Sequence, residues 1–180
     1  MWSIPVAELR EYAIWGGVPR YWELRRDYPD KETAIRKVLL DPQGPLIEEP
    51  QRLLRDDMRD TVQASTLLTI IGNGANKLSE IATRAGKDSS TNSDPLSKLR
   101  DLGYVSREVP FGESPKKSKK GIYHINDSLL RFHYQFIVPY RSILELGRMD
   151  MVMQVVLAQL PQFIGQCWES LCREYVSGNI

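Results

Sequence analysis

The tract of residues 77–127 constrains the fold of this chain more than any other. Two short segments, 78–86 and 95–102, carry leucine and isoleucine at helical spacing, with glycine and polar residues between them. Two β-prone runs follow at 104–111 and 119–125, and the stretch that joins them is rich in lysine. A helix, a turn, a second helix and a β-ribbon with a basic tip predict a winged helix-turn-helix. Such a unit binds or positions another molecule, and it does not make or break bonds.

Apolar periodicity predicts further helices on both sides of this tract. A long helix is expected over 51–71, and its second half would be the first helix of the winged unit. Pro95 is expected to shorten the third helix. The final apolar pattern, 149–175, contains Pro161 and Gly165, which predict a division into two helices.

The sequence therefore predicts a mainly α-helical protein with one small β-hairpin. The turn cluster Asp-Pro-Gln-Gly-Pro at 41–45 marks a boundary. We expect a helical segment at 1–50, the winged unit at 51–127, and C-terminal helices at 128–180.

Composition limits the classes of function. The net charge is only +1, so any affinity for nucleic acid depends on a local patch. Cys167 and Cys172 are five residues apart in one predicted helix, which suits neither a zinc site nor a redox pair and favours reduced thiols in a cytoplasmic protein. The longest apolar run, 149–160, is too short to cross a membrane, and the first residues lack the pattern of a signal peptide.

The winged unit contains candidate contacts to double-stranded DNA. The first turn of its third helix would meet the bases through Ser90, Thr91 and Asn92, because asparagine can read adenine with two hydrogen bonds. Positive side chains would lie near phosphates, and these are Lys98, Arg100, Lys116, Lys117, Lys119 and Lys120. Residues 61–124 carry a net charge of +4, while Asp94 and Asp101 oppose a duplex. A solvated tip on a structural or protein-docking module is the alternative interpretation.

Four stretches in this order resemble a known family. They are Tyr-Ala-Ile-Trp-Gly-Gly-Val-Pro-Arg-Tyr at 12–21, Leu-Ile-Glu-Glu-Pro at 46–50, the winged-helix tract, and Asn-Asp-Ser-Leu-Leu-Arg-Phe at 126–132. The chain resembles the C-terminal part of the archaeal-type P-loop ATPases of the STAND/AAA+ group. In that family a P-loop core precedes a helical lid and a winged helix, and a nuclease-like domain follows. Gly-Gln-Cys-Trp-Glu at 165–169 is similar to the opening of that last domain.

The resemblance implies a role for the glycine-glycine-proline element. Gly16, Gly17 and Pro19 correspond to a lid element that lies against the nucleotide base when a P-loop core is present, whereas a simple helix break is the plainer interpretation. The chain contains no Gly-x-x-x-x-Gly-Lys-Ser/Thr motif. We therefore expect no cofactor in this chain, and ATP with Mg²⁺ is implied only for a full-length parent.

No residues form a convincing catalytic or metal site. Glu169 has no converging carboxylates nearby in sequence, and His124 and His133 have no second ligand at metal spacing. Both histidines are expected to be structural.

These observations favour a non-catalytic C-terminal fragment of a STAND-like ATP-binding protein, whose winged helix binds DNA or a protein. A stand-alone winged-helix transcriptional regulator is the alternative, and a third possibility is an enzyme fragment that is active only when joined to missing domains. The expected partners are double-stranded DNA, a protein partner or an ATPase core, and a second copy that pairs through exposed apolar surface within 149–163.

Overall fold

The protein is described by a computed structural model that covers residues 6–110, 112, 118 and 120–176, apart from the side chain of Val6. Across these residues the chain is mainly helical with one two-stranded antiparallel sheet, which confirms the predicted fold class. The elements in chain order are α1 (Val6–Trp15), α2 (Pro19–Arg26), α3 (Lys31–Ala34), α4 (Glu49–Asp57), α5 (Thr61–Gly72), α6 (Leu78–Ala85), α7 (Ser89–Asp101), β1 (Val105–Glu108), β2 (Ile122–Ile125), α8 (Ser128–Phe132), α9 (Arg141–Glu145) and α10 (Met149–Val176).

Two helices continue into wider turns. After α3 the chain forms a π-helical segment, Ile35–Leu40, and after α8 it forms another, His133–Ile137, followed by a 3₁₀ turn at Val138–Tyr140. The four apolar residues of the first segment and all but Gln135 of the second are buried. Both irregular segments therefore turn their apolar side chains into a core, whereas Lys37 of the first segment is exposed.

The chain divides into two compact units. The terminal unit comprises residues 1–47 and 140–180, and the central unit comprises residues 48–139. This division differs from the predicted boundaries at 50 and 127. The segment after residue 127 packs with α5, since Leu130 and Tyr134 are members of the central apolar core.

The central unit contains α5, α6, α7 and the β1–β2 ribbon around one core. Its buried apolar residues are Leu54, Met58, Ala64, Leu67, Leu68, Ile71, Ala75, Ile81, Leu96, Leu99, Tyr104, Val105, Tyr123, Ile125, Leu130 and Tyr134. Two apolar residues of this unit lie outside its core, because Val62 is 76% exposed and Leu102 is 42% exposed.

The predicted single helix over 51–71 is wrong. The chain breaks after α4, and the Asp60 carboxylate accepts a hydrogen bond from the Gln63 N–H at 2.9 Å, which starts α5. An aspartate at this position satisfies an N–H group that the first turn would otherwise leave unpaired. The Tyr104 hydroxyl donates a hydrogen bond to Asp57 at 2.5 Å and so joins the end of α4 to the start of the ribbon.

The prediction that Pro161 and Gly165 divide the last helix is also wrong, because α10 is continuous from Met149 to Val176. Leu160, Phe163 and Cys167 are buried along one face across this point. A proline removes only one backbone hydrogen bond, and the burial on both sides of it offsets that loss.

Candidate interaction surfaces

The glycine-glycine-proline element joins α1 to α2. Gly16 has a φ of 65°, and its N–H donates to the Tyr12 carbonyl at 2.8 Å, so it ends α1 in the left-handed conformation that suits glycine. Pro19 occupies the first position of α2, where its missing N–H costs nothing. Gly17 is exposed, its φ is not positive, and a Cβ placed on it would meet no atom within 4 Å. The local fold thus explains Gly16 and Pro19 but does not require a glycine at position 17.

An ion pair fixes the angle of this turn. Arg25 on α2 donates two hydrogen bonds to the Glu11 carboxylate on α1, at 2.8 and 2.9 Å, and the Trp15 indole donates a third at 2.9 Å. Burial raises the pKa of Glu11, but the hydrogen bonds from Arg25 and Trp15 outweigh it and hold the pKa below its ordinary value. The Trp22 indole donates to the Gly16 carbonyl at 2.8 Å, which anchors the turn from α2.

The exposed surface of α7 contains only part of the predicted DNA contacts. Ser90 and Thr91 are exposed in the first turn, as a groove contact requires. Asn92, in contrast, is fully buried, and its amide donates to the carbonyls of Lys87 and Asp88 at 3.5 and 3.3 Å. This placement does not fit the predicted contact between Asn92 and a base. The sequence showed its residue type but not that it lies on the inner face of the helix.

Pro95 does not shorten α7, which runs through it to Asp101. Beyond the proline, Lys98 and Arg100 are exposed. The Arg100 guanidinium already contacts Asp101 at 3.2 Å and the Ser97 hydroxyl at 2.9 Å. Since Asp94 is exposed as well, positive and negative charges balance along this part of the helix.

A polar hollow of about 640 Å³ lies at the turn between α6 and α7. Its lining includes four hydroxyl side chains, the exposed Lys87 and the carboxylate of Asp88; the hydroxyls belong to Ser79, Thr83, Ser89 and Thr91. At the start of α7, the N–H groups of Thr91 and Asn92 donate to the Asp88 carbonyl at 3.1 and 3.3 Å, and those of Ser89 and Ser90 precede these first helical hydrogen bonds. Hydroxyls, an ammonium group and a helix N-terminus suit phosphate oxygens, and Asp88 opposes them.

The β-ribbon pairs Val105 with Ile125 and Glu108 with Ile122. Of the predicted tip lysines, Lys116, Lys117 and Lys119 lie outside the described residues. Lys120 is exposed, and its backbone N–H donates to the Ser118 hydroxyl at 3.1 Å.

Arg107, which contributes to the positive charge of the tract, lies at the base of the ribbon. Its guanidinium donates to the Ser118 carbonyl at 2.5 Å and stands 6.0 Å from the centre of the Tyr123 ring. A Cβ at position 121 would overlap this guanidinium, so Gly121 makes room for it. Arg107 is therefore a structural residue of the hairpin.

The remaining candidates do not form a chemical site. Glu169 accepts a hydrogen bond from Arg173 on the exposed side of α10, and His133 is fully buried against the Tyr134 ring. Neither Cys167 nor Cys172 forms a disulfide bond. Within the described ranges, no three histidine, cysteine or acidic side chains come together in a way that would hold a metal ion. Nor does any described helix combine the length and apolar character needed to cross a bilayer.

Comparisons with known proteins identify distant relatives. Residues 133–179 match DUF234, a family described as archaeal and bacterial proteins of unknown function. An uncharacterised protein of Methanocaldococcus jannaschii is 29% identical over 169 residues, which are 92% of this chain and 36% of that protein. The chain thus spans about a third of the length of the relative that it matches. No solved structure matches it significantly.

Proposed function

We propose that this chain is a non-catalytic interaction module, in which α5, α6, α7 and the β1–β2 ribbon act as a winged helix that contacts the phosphates of duplex DNA. One observation carries the proposal: the first turn of α7 is exposed beside a hollow of hydroxyls and Lys87, and the lysine-rich ribbon belongs to the same unit. Phosphate contacts of this kind fix a protein on the duplex without reading its sequence.

The buried position of Asn92 supports binding without sequence preference. Its amide would be the strongest reader of adenine in this turn, and it is engaged with backbone carbonyls instead. Ser90 and Thr91 can bond to phosphates or bases of any sequence. A few such contacts correspond to a dissociation constant of about 10⁻⁴ to 10⁻⁶ M at physiological salt.

The test is binding of the purified chain to a random duplex of about 20 base pairs, followed by fluorescence anisotropy at two salt concentrations. Lys87→Ala should weaken binding. It should also make the slope of log K against log salt shallower, by the amount that corresponds to about one lost phosphate contact. Lys37→Ala, which changes an exposed lysine of the terminal unit, is the matched control and should leave the slope unchanged.

The ribbon is tested separately by changing its four lysines, Lys116, Lys117, Lys119 and Lys120, to alanine together. We expect a larger loss of slope than for Lys87→Ala, because more positive charge is removed. An unchanged slope in both variants would refute phosphate binding by the winged helix.

Protein docking is the second candidate, and the charge balance of α7 favours it. Asp94 and Asp101 offset Lys98 and Arg100, and Arg100 is bonded within its own helix. A protein surface tolerates such a neutral face better than a duplex does. Two results together would favour this second function. The chain would show no salt-dependent binding to DNA, and the backbone amides of α7 would be protected from hydrogen exchange in a complex with a protein.

We further propose that the module belongs to a STAND-like ATP-binding protein. The supporting observations are the order of the four family-like stretches, the much greater length of the matched relative, and Gly17, whose lack of a side chain the local fold does not use. The purified chain should not turn over ATP, and hydrolysis that survives repurification would contradict its assignment as the non-catalytic module of such a protein. In a stand-alone regulator, the alternative, Gly17→Ala should have no consequence for any activity.

A further inference from the structure

The helix α10 has a second apolar stripe besides the face that it buries. Six residues form it: Leu157, Pro161, Ile164, Trp168, Leu171 and Tyr175. Their spacing alternates between four and three residues, which is the heptad repeat of a helix that packs along another helix. At 3.6 residues per turn, all six fall within about 40° of one line along the helix.

This stripe is distinct from the buried face. The buried side chains of α10 are Val152, Met153, Val156, Leu160, Phe163 and Cys167, and they pack in the terminal unit. Along the stripe, Leu157 is 38% exposed, Trp168 is 50% exposed and Tyr175 is 73% exposed. Ile164 and Leu171 are half-buried between these positions, and a row of large, partly exposed apolar side chains marks an association surface.

Two hollows of the terminal unit border the stripe. One of about 550 Å³ lies beside Leu157, Ile164 and Trp168, and one of about 560 Å³ lies beside Leu171. Both hollows include Leu9 of α1. The cations Arg10 and Lys31 line the first hollow. The aromatic side chains of Tyr12 and Trp22 line the second.

We propose that this stripe is the interface between two copies of the chain, in which the α10 helices pack side by side in parallel. A heptad row needs a matching row on its partner, and a second copy supplies an identical one about a two-fold axis. Small residues flank the stripe at heptad intervals on the side away from Leu160, at Ala158, Gly165 and Cys172, and permit close approach.

Charge sets the direction of the pair. Arg10 and Lys31 lie on the α1 side of the stripe, and the helical period places Glu169, which already accepts a hydrogen bond from Arg173, on the opposite side. A two-fold axis parallel to the helices exchanges these sides, so the partner's Glu169 faces Arg10 and Lys31. An antiparallel pair would place like flanks together.

The size of the surface predicts a weak dimer. The exposed parts of six such side chains amount to roughly 500 Å² on each copy. This lies below the usual area of about 800 Å² per partner, so we expect a dissociation constant on the order of 10⁻⁵ to 10⁻⁴ M. The segment 149–163, which the sequence predicts as a pairing surface, contains only the beginning of the stripe, because the stripe extends to Tyr175.

Sedimentation equilibrium of the full chain across low to high micromolar concentrations tests the proposal. Wild type should change from monomer to dimer, and Trp168→Lys should shift the dissociation constant upward at least tenfold because it places a charge in the row. Leu146→Lys, at a position 71% exposed outside the stripe, is the matched control and should dimerise as wild type does.

Tyr175→Lys provides a second stripe variant should Trp168→Lys fail to fold, as judged by circular dichroism. For the direction of the pair, Arg10→Glu should weaken the dimer, and Arg10→Glu combined with Glu169→Arg should restore part of the loss. A wild type that stays monomeric, or a dimer that both stripe variants leave unchanged, would overturn the proposal. A dimer weakened by Trp168→Lys but not rescued by the charge exchange would overturn the parallel arrangement.

Discussion

The central and terminal units are stabilised in different ways. The central unit has one continuous stretch of chain and an apolar core with a polar bond, Tyr104 to Asp57, at its edge. The terminal unit combines the two ends of the chain, and a half-buried ion pair between Glu11 and Arg25 joins its first two helices. The comparison teaches that two charged side chains join helices in the terminal unit, whereas in the central unit a single carboxylate, Asp57, bonds to a neutral phenol at the edge of the apolar core.

The tryptophans make this difference measurable. The three described tryptophans, Trp15, Trp22 and Trp168, all lie in the terminal unit. Tryptophan fluorescence therefore reports on that unit, whereas far-ultraviolet circular dichroism reports on the helices of both. Each variant below should shift one signal more than the other.

The largest effect is expected for Leu67→Ala in the central core. Leu67 is 1% exposed, so the substitution leaves a cavity and should cost about 3 kcal/mol of unfolding free energy. Urea unfolding should show the loss by circular dichroism, with the fluorescence transition unmoved. Val62→Ala, on the exposed side of the same helix, should change the stability by less than about 0.5 kcal/mol. Equal shifts of both signals would show that the units unfold together.

Glu11→Gln should destabilise the terminal unit by about 2 kcal/mol, because it weakens charge-assisted hydrogen bonds to Arg25 and Trp15. Fluorescence-detected unfolding measures this effect, and Glu23→Gln on exposed α2 surface is the control.

The same carboxylate predicts a pH dependence. Because the folded pKa of Glu11 lies below its ordinary value of 4.5, its contribution is fully present above that pH and is lost as pH falls through the folded pKa. In Glu11→Gln, the unfolding free energy measured by fluorescence should therefore fall less steeply as the pH is lowered. An acid limb as steep as that of wild type would show that another group causes it.

Tyr104→Phe should cost about 1.5 kcal/mol in the central unit, since it removes a hydrogen bond to the Asp57 carboxylate. Burial, and then the bond to Asp57, raises the pKa of Tyr104, so the phenol remains a donor across the neutral range. Asp57→Asn should have a similar but smaller effect, whereas Asp56→Asn should have almost none. A double variant whose loss equals the sum of the single losses would argue against this bond.

The smallest effect concerns the cap of α8. Asp127 accepts the Leu130 N–H at 2.8 Å, yet burial raises its pKa above the ordinary value of 3.8. The ionised form therefore costs stability, and this cost appears as pH rises through the folded pKa. At pH 7, Asp127→Asn should keep the cap and match or slightly exceed wild type, whereas Asp127→Ala should lose about 1 kcal/mol by circular dichroism. A marked loss in the asparagine variant would contradict this interpretation.

The central unit could be predicted from sequence because its signals are local. Apolar spacing located α6 and α7, and the β-prone runs at 104–111 and 119–125 located the ribbon. The break before α5 was missed because apolar residues continue at helical spacing across it, although Asp60 was a readable cap. Local patterns cannot weigh such a cap against continued periodicity.

The packing of helices in the terminal unit could not be predicted from the sequence. Nothing in residues 6–15 indicates that α1 packs with α10, because the two are far apart in the chain. The surface chemistry was similarly hidden. The sequence pattern predicts that Asn92 and Lys98 are both exposed polar residues of one helix. Only the packing of α7 against the core shows that Asn92 is buried and Lys98 is exposed.

The discontinuity of the terminal unit has a consequence for the order of events on the ribosome. The central unit is one continuous stretch, residues 48–139, and can fold as soon as that stretch emerges, whereas the packing of α1 with α10 must wait for α10 to be synthesised. During that interval the apolar side chains of α1 lack the helix against which they pack, and they are available to chaperones.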